Sequence, residues 1–319
     1  KKNDWFFETQ LDLKKSPLII DFLNFEKTDE SELTLVFKGN YLKNKRFNIS
    51  SISLKDKSNI FELDNIILDK NFKIFSINSA NFNYIDRNGE KNIFSLKKKS
   101  NDYKIIGKQL NAIKIIDDLL FEDSKGKNNY FSKNFNLIIN IDKVLISKNE
   151  FINNLKGKLK LKNNEVTSAK FISEFDTEDK LVFTIELNDG KKITTFFSDR
   201  AKPFVKKFKF IKGFDEGSLD FYSVKSDGIS NSKIKIYNFK LKELPLLTKI
   251  LTLASLQGIA DILSGEGIRF NELEMNIENK KNLIVINEIY AIGPAISILM
   301  DGYVEKNKLI SLKGTLVPA

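Results

Sequence analysis

Apolar and polar residues alternate with a period of two along most of this chain. Trp5, Phe7, Leu11 and Leu13 share one parity, and Leu33, Leu35 and Phe37 repeat it with Thr34 and Lys38 opposite. Such alternation predicts strands with one buried face. Further runs near 46–53, 59–66, 71–77, 81–87 and 91–97 are separated by Asn, Asp, Lys and Gly, and Asn88-Gly89 reads as a hairpin turn. Regularly spaced short strands of this kind predict an antiparallel meander.

Gly107 to Leu120, GKQLNAIKIIDDLL, breaks the rhythm. Ile113, Ile116, Leu119 and Leu120 recur at three and four, which predicts a short amphipathic helix. The Lys- and Asn-rich stretch Glu122 to Asn129 marks the boundary, giving a β-meander over 1–125 and a continuing sheet over 126–319. The two are read as one continuous structure rather than two independent domains.

Beyond it, Phe135, Leu137, Ile139 and Ile141 oppose Asn136, Asn140 and Asp142. Leu155, Leu159 and Leu161 oppose Lys156, Lys158, Lys160 and Lys162. Leu181, Phe183, Ile185 and Leu187 lead into the turn Asp189-Gly190 and a return strand from Ile193 to Phe197, with Phe197 on the apolar parity. A second short helix is predicted over Asp199 to Phe208. Strands follow around 218–225 and 233–241, and then from Phe270 to the end.

Leu244 to Phe270 differs from everything else. Leu246, Leu247, Ile250, Leu251, Leu253, Ile259 and Leu263 belong to an apolar set too dense for a strand, with Pro245 at the start and Gly265 and Gly267 at the stop. It predicts one longer helix, apolar around most of its circumference, that must dock on a sheet or lie against lipid. Lys249 and Asp261 argue against a bilayer span, since each costs roughly 2.5–3.5 kcal/mol in hydrocarbon.

Composition narrows the chemistry. The 319 residues include 27 Phe, ample for a core, and carry a formal net charge of +10. Arg occurs only at Arg46, Arg87, Arg200 and Arg269, so the bidentate contacts favoured by nucleic-acid readers are scarce and no nucleic-acid partner is expected. The chain has no Cys and no His, which excludes disulfides, thiol nucleophiles, Ser-His-Asp triads and His-ligated metals. No enzyme activity, metal or cofactor is expected. Glu272, Glu274 and Glu278 share one strand parity, and Asp176, Glu178 and Asp179 form an acidic turn. Both read as solvated charge rather than as metal sites. The lysine comb 156–162 either faces anionic headgroups or keeps an outer face soluble.

So many one-sided strands, with so few helices, leave an apolar face to be covered. A second sheet layer would do this, or a sheet curled along its length into a trough. At about 4.8 Å per strand, sixteen to nineteen strands would extend on the order of 80 Å, with strands roughly 23 Å long. The expected fold is mainly β: an elongated, curled, taco-like antiparallel sheet forming a hydrophobic groove, with a few short helices and the one longer apolar helix. Phe7, Phe37, Leu137, Ile139, Leu159, Phe183, Ile185, Phe221, Met275, Ile296, Ile298 and Leu312 are expected to line it.

The stretch LTLASLQGIADILSGEGIRF, followed by Gly293-Pro294, the strand at Gly302 and GTLVPA at 314–319, resembles the C-terminal region of AsmA-like envelope proteins of the large YhdP-type branch. GKQLNAIKIIDDLL resembles another segment of that family, with Asn111 standing where the family pattern has Asp. The resemblance implies a groove-forming sheet in the Gram-negative periplasm, anchored to the inner membrane by a segment outside this chain. It implies phospholipids as cargo, inner and outer membrane surfaces as partners, and transport between them without covalent chemistry. The helix at 246–263 would then cap the groove or touch a membrane. A scaffold for outer-membrane protein assembly, with envelope proteins as partners, is the alternative.

Overall fold

A computed structural model describes residues 4–27, 31–42, 46–116, 134–162, 165–205, 213–242, 265, 267–280, 283–305 and 309–318. The fold is mainly β with a few short helices, and it divides into two compact units, Lys1–Asp176 and Thr177–Ala319.

The first unit holds β1 (Asp4–Asp12), β2 (Ile19–Ile20), β3 (Phe25–Glu26), β4 (Thr34–Leu42), β5 (Arg46–Lys55), β6 (Ile60–Leu68) and β7 (Ile74–Ser76). It continues with β8 (Ser79–Ile85), β9 (Lys91–Lys99), β10 (Asp102–Asn111), β11 (Phe135–Ser147), β12 (Glu150–Lys162) and β13 (Glu165–Glu174). β1 pairs with β4, and pairing then proceeds through β5, β6, β8, β9, β10, β11, β12 and β13. β2 and β3 form a separate small hairpin around a 3-10 turn, Asp21–Leu23.

One pairing departs from the antiparallel expectation: β10 runs parallel to β11. A parallel pair cannot be joined by a two-residue hairpin, and in the sequence β10 and β11 are separated by residues 112–134. The helix expected over Gly107–Leu120 is correspondingly shorter. Gly107 to Asn111 extend β10, Gln109 to Asn111 pairing with Lys143 to Leu145, and a helical turn occupies residues 113–116. The Ile113 N–H donates to Asn111 Oδ1 at 3.0 Å, starting that turn. Leu119 and Leu120 lie outside the described residues.

Among the described residues, the strands of the second unit pair in chain order as an antiparallel meander. It comprises β14 (Lys180–Asn188), β15 (Lys191–Ser198), β16 (Phe214–Ser226), β17 (Ile229–Leu241), β18 (Ile268–Lys280), β19 (Leu283–Ile292), β20 (Ile296–Glu305) and β21 (Leu309–Pro318). Asp189 (φ 48°) and Gly190 (φ 76°) both take left-handed backbone in the turn joining β14 to β15, as a two-residue hairpin turn requires. Asp227 (φ 50°) and Gly228 (φ 80°) do the same between β16 and β17, a turn the two-residue periodicity did not mark. A short helix α1 (Lys202–Val205) falls inside the expected 199–208 stretch.

No helix among the described residues is long and apolar enough to cross a membrane. The helix expected over 244–263, with Leu246, Leu247, Ile250, Leu251, Leu253, Ile259 and Leu263, lies outside the described residues.

Candidate functional site: an apolar sheet face

Directly paired residues on neighbouring strands point to the same side of a sheet, so the register shows which side chains share a face. In the first unit one row runs Leu35, Leu54, Phe61, Phe82, Phe94, Gly107, Ile141 and Leu155. The next runs Phe37, Ile52, Leu63, Ala80, Leu96, Ile105, Ile139, Gly157 and Phe171. Leu137 and Leu159 are paired on the same side, and Phe7 meets Phe37 with ring centroids 5.8 Å apart. All five predicted lining residues of this unit therefore share one face. At Gly157 an added Cβ would lie 2.2 Å from Cδ1 of Phe171, so the ring occupies the space a side chain would need.

Two clusters cover parts of this face. Over the first row, the segment from Leu13 to Phe25 folds back: Phe25 and Leu33 are buried with Leu54, Phe61 and Tyr84. Phe25 meets Phe61 edge-on at 4.8 Å and Tyr84 at 5.9 Å, and the Tyr84 hydroxyl donates to the Leu23 carbonyl at 2.9 Å. Burial pushes the Tyr84 phenol above its ordinary range. A second cluster gathers Ile66, Ile77 and Tyr103, whose hydroxyl accepts from the Ile77 N–H at 3.2 Å. Beside it, Ile74, Phe75, Lys98, Asn101, Tyr103 and Phe135 line a pocket of about 30 Å³, room for a water but not for an acyl chain. Leu137, Ile139 and Leu159 remain half-buried, as do Phe7 and Phe37.

In the second unit a row runs Phe183, Phe196, Phe221, Ile234, Met275, Ile289 and Met300. Its neighbour runs Leu219, Ile236, Leu273, Ala291, Ile298 and Leu316. All seven predicted residues here lie on this face. Ile185 and Ile296 are buried, Phe183, Phe221, Met275 and Ile298 are half-buried, and Leu312 is exposed. α1 packs Val205 against it, with Ala201, Phe214, Phe239 and Phe270 closing the most buried part; Phe214, Phe239 and Phe270 stack at 5.3 and 5.1 Å.

Phe197 is a correction. The two-residue turn sets Phe183 opposite Phe196, so Phe196 joins the apolar face and Phe197 stands opposite Val182 and Asp220 on the other side. Toward the hairpin ends the face turns polar: Thr194 is paired with Ser223, and the Ser232 hydroxyl donates to Ser223 at 2.8 Å.

The opposite faces carry charge. Lys156, Lys158, Lys160 and Lys162 are all exposed. Glu274 lies 2.6 Å from Lys233 and 2.9 Å from Lys235, Lys235 reaches Glu272 at 3.4 Å, and Glu278 pairs with Lys280 at 2.9 Å. The two lysines hold the Glu274 carboxyl down to about 2 and, with Glu274 as its main partner, Lys235 rises to about 12. Asp215 bridges Lys202 on α1 and Lys242 beyond β17, which holds it well below the usual carboxylate range. Asp179 is lowered by hydrogen bonds from Thr177 and Arg200. No cluster of three metal-ligating side chains occurs among the described residues.

Sequence periodicity missed the cover formed by Phe25 and the network of Asp86, Asn92 and Asn111. The aromatic pairing potential of Phe25 with Phe61 and Tyr84 was present in the residues, but nothing in their spacing joins them.

Comparison with known proteins found no matching family model, no matching curated relative and no matching solved structure.

Proposed function

We propose that the apolar faces of this chain hold the acyl chains of phospholipids, and that the protein moves them between membranes without chemistry of its own. The observation that supports this most is the half-buried state of Ile139 and Leu159 on β11 and β12. They sit on a continuous apolar face, where a protein closing its core on itself would bury them fully. An open curled groove along that face, opposite the exposed lysine comb, would keep acyl chains dry and headgroups in water. As part of the same proposal, drawn from the resemblance to AsmA-like envelope proteins, the carriage takes place in the periplasm between inner and outer membranes.

The test is direct. The chain is purified without detergent, extracted with organic solvent, and its phospholipid quantified by mass spectrometry against a soluble β-protein of equal size. Stoichiometric phospholipid supports the reading, and background-level lipid rejects it. A scaffold for outer-membrane protein assembly is the second reading, to which the exposed Leu309, Ile310 and Val317 of β21 would offer an apolar contact.

A further inference from the structure

The apolar face of the first unit ends, at one rim, in aromatic rings. Trp5 is paired with Tyr41, Tyr41 with Phe47, and Phe47 with Leu68. The Tyr41 and Phe47 centroids are 4.5 Å apart, and Phe47 lies 5.0 Å from Phe72 on the turn after β6. The aromatic cluster around Phe25 is closed to solvent; this one is open. Trp5 is 68% exposed and Phe72 66%. Large adjoining aromatics left in water on a folded protein mark a contact surface.

The backbone beneath Phe72 makes the same point independently. Phe72 has φ 60°, a left-handed conformation that a bulky side chain avoids at a cost of about 1–2 kcal/mol. The turn enforces it: Asp69 Oδ1 accepts from the N–H groups of Asn71 and Lys73, and the Asp69 carbonyl accepts from that of Phe72. The strain holds a phenyl ring out in water, where an Asn would sit more easily.

Cations flank the turn that carries Phe72: Lys70 and Lys73 lie on it, Lys70 exposed. Asp69 is the acidic group of that turn, and its Oδ1 already accepts two backbone N–H groups. Exposed Trp and Phe flanked by basic residues are complementary to the interface of an anionic bilayer, where rings enter the headgroup layer and each cation adds about 1 kcal/mol.

We propose that this rim is a membrane-contact site: Trp5 and Phe72 enter the headgroup layer of an anionic lipid surface, and Lys70 and Lys73 face its phosphates. The proposal deepens the lipid-carrier reading, since the rim is where the apolar face reaches the ends of β1, β4, β5 and β6, but it rests on different residues.

Trp5 is the single tryptophan of the chain, so its fluorescence reports this rim alone. The purified chain is titrated with vesicles of phosphatidylcholine and with vesicles that also contain phosphatidylglycerol. The expected result is a blue shift of Trp5 emission with the anionic vesicles, quenched by brominated acyl chains. Lys70→Glu with Lys73→Glu weakens it by more than about tenfold, as two reversed charges should. Phe72→Asn separates contact from folding, because it relieves the left-handed strain and raises thermal stability while weakening vesicle binding. Emission unmoved by vesicles overturns the proposal. Equal response to neutral vesicles, or wild-type binding by Phe72→Asn, overturns it too. A chain that carries extractable phospholipid yet shows no Trp5 response rejects the rim alone; one that is empty of lipid yet binds vesicles through Trp5 rejects the carriage alone.

Discussion

Asn111 Nδ2 donates to Asp86 Oδ2 at 2.7 Å, and both side chains are buried. The other oxygen of Asp86 accepts from the N–H groups of Asn88 and Glu90, while Asn92 Oδ1 accepts from the Asn111 N–H at 2.7 Å. One network thus ties the β8–β9 turn to the end of β10. An Asp at 111 would set carboxylate against carboxylate. Asn111→Asp is expected to lower stability by about 2–3 kcal/mol at neutral pH, read by urea unfolding. Adding Asp86→Asn, which restores a donor facing an acceptor, should recover most of the loss.

Acid should weaken the second unit in a defined window. Glu274 is held near 2 by Lys233 and Lys235, below its ordinary 4.5, so it releases its proton more readily folded than unfolded. Its contribution is fully present above about 4.5 and is lost as the pH falls toward 2. Asp215, lowered by Lys202 and Lys242, acts in the same direction. Glu274→Gln with Asp215→Asn should give a chain less stable than wild type at pH 7, by a margin that narrows as the pH falls from about 4.5 to 2. Parallel stability curves from pH 7 to pH 2 would reject the assignment.

How much of this could be read beforehand follows from the geometry of strands. A period of two and tight turns such as Asp189-Gly190 fix which side chains share a face, and all twelve predicted apolar residues lie on the faces where parity put them. Parity fails where neighbouring residues are both aromatic, as with Phe196 and Phe197, since only the register decides between them. It fails again at Gly107–Asn111, where the three- and four-residue spacing of Ile113 and Ile116 begins just past a strand. Phe25, and the rim from Trp5 to Phe72, are joined by chain folding across long separations, which no local period encodes.

The cover formed by residues 13–25 should contribute to stability through a few buried rings. Phe25 touches Phe61 and Tyr84 and is almost fully buried, so Phe25→Ala is expected to lose about 3–5 kcal/mol. Tyr84→Phe, which leaves the Leu23 carbonyl without its donor, should lose about 1 kcal/mol. Denaturant midpoints would check both, and equal effects of the two would reject this account of the cover.

Phospholipid carriage makes a sharper demand on the two sides of one strand. Leu159 is half-buried on the apolar face, paired with Leu137 and Ala169, whereas Lys158 beside it is exposed on the other. An acidic group touching acyl chains costs roughly 2.5–3.5 kcal/mol, so Leu159→Asp should lower the phospholipid extracted with the folded chain by at least about tenfold. Phe183→Asp and Ile298→Asp, on the apolar face of the second unit, should act in the same way and abolish transfer between vesicles. Lys158→Asp introduces the same carboxylate one residue away and should leave lipid content unchanged, which removes net charge as the explanation. Wild-type lipid content in a folded Leu159→Asp chain would place the acyl chains elsewhere and sink the carrier reading at this face.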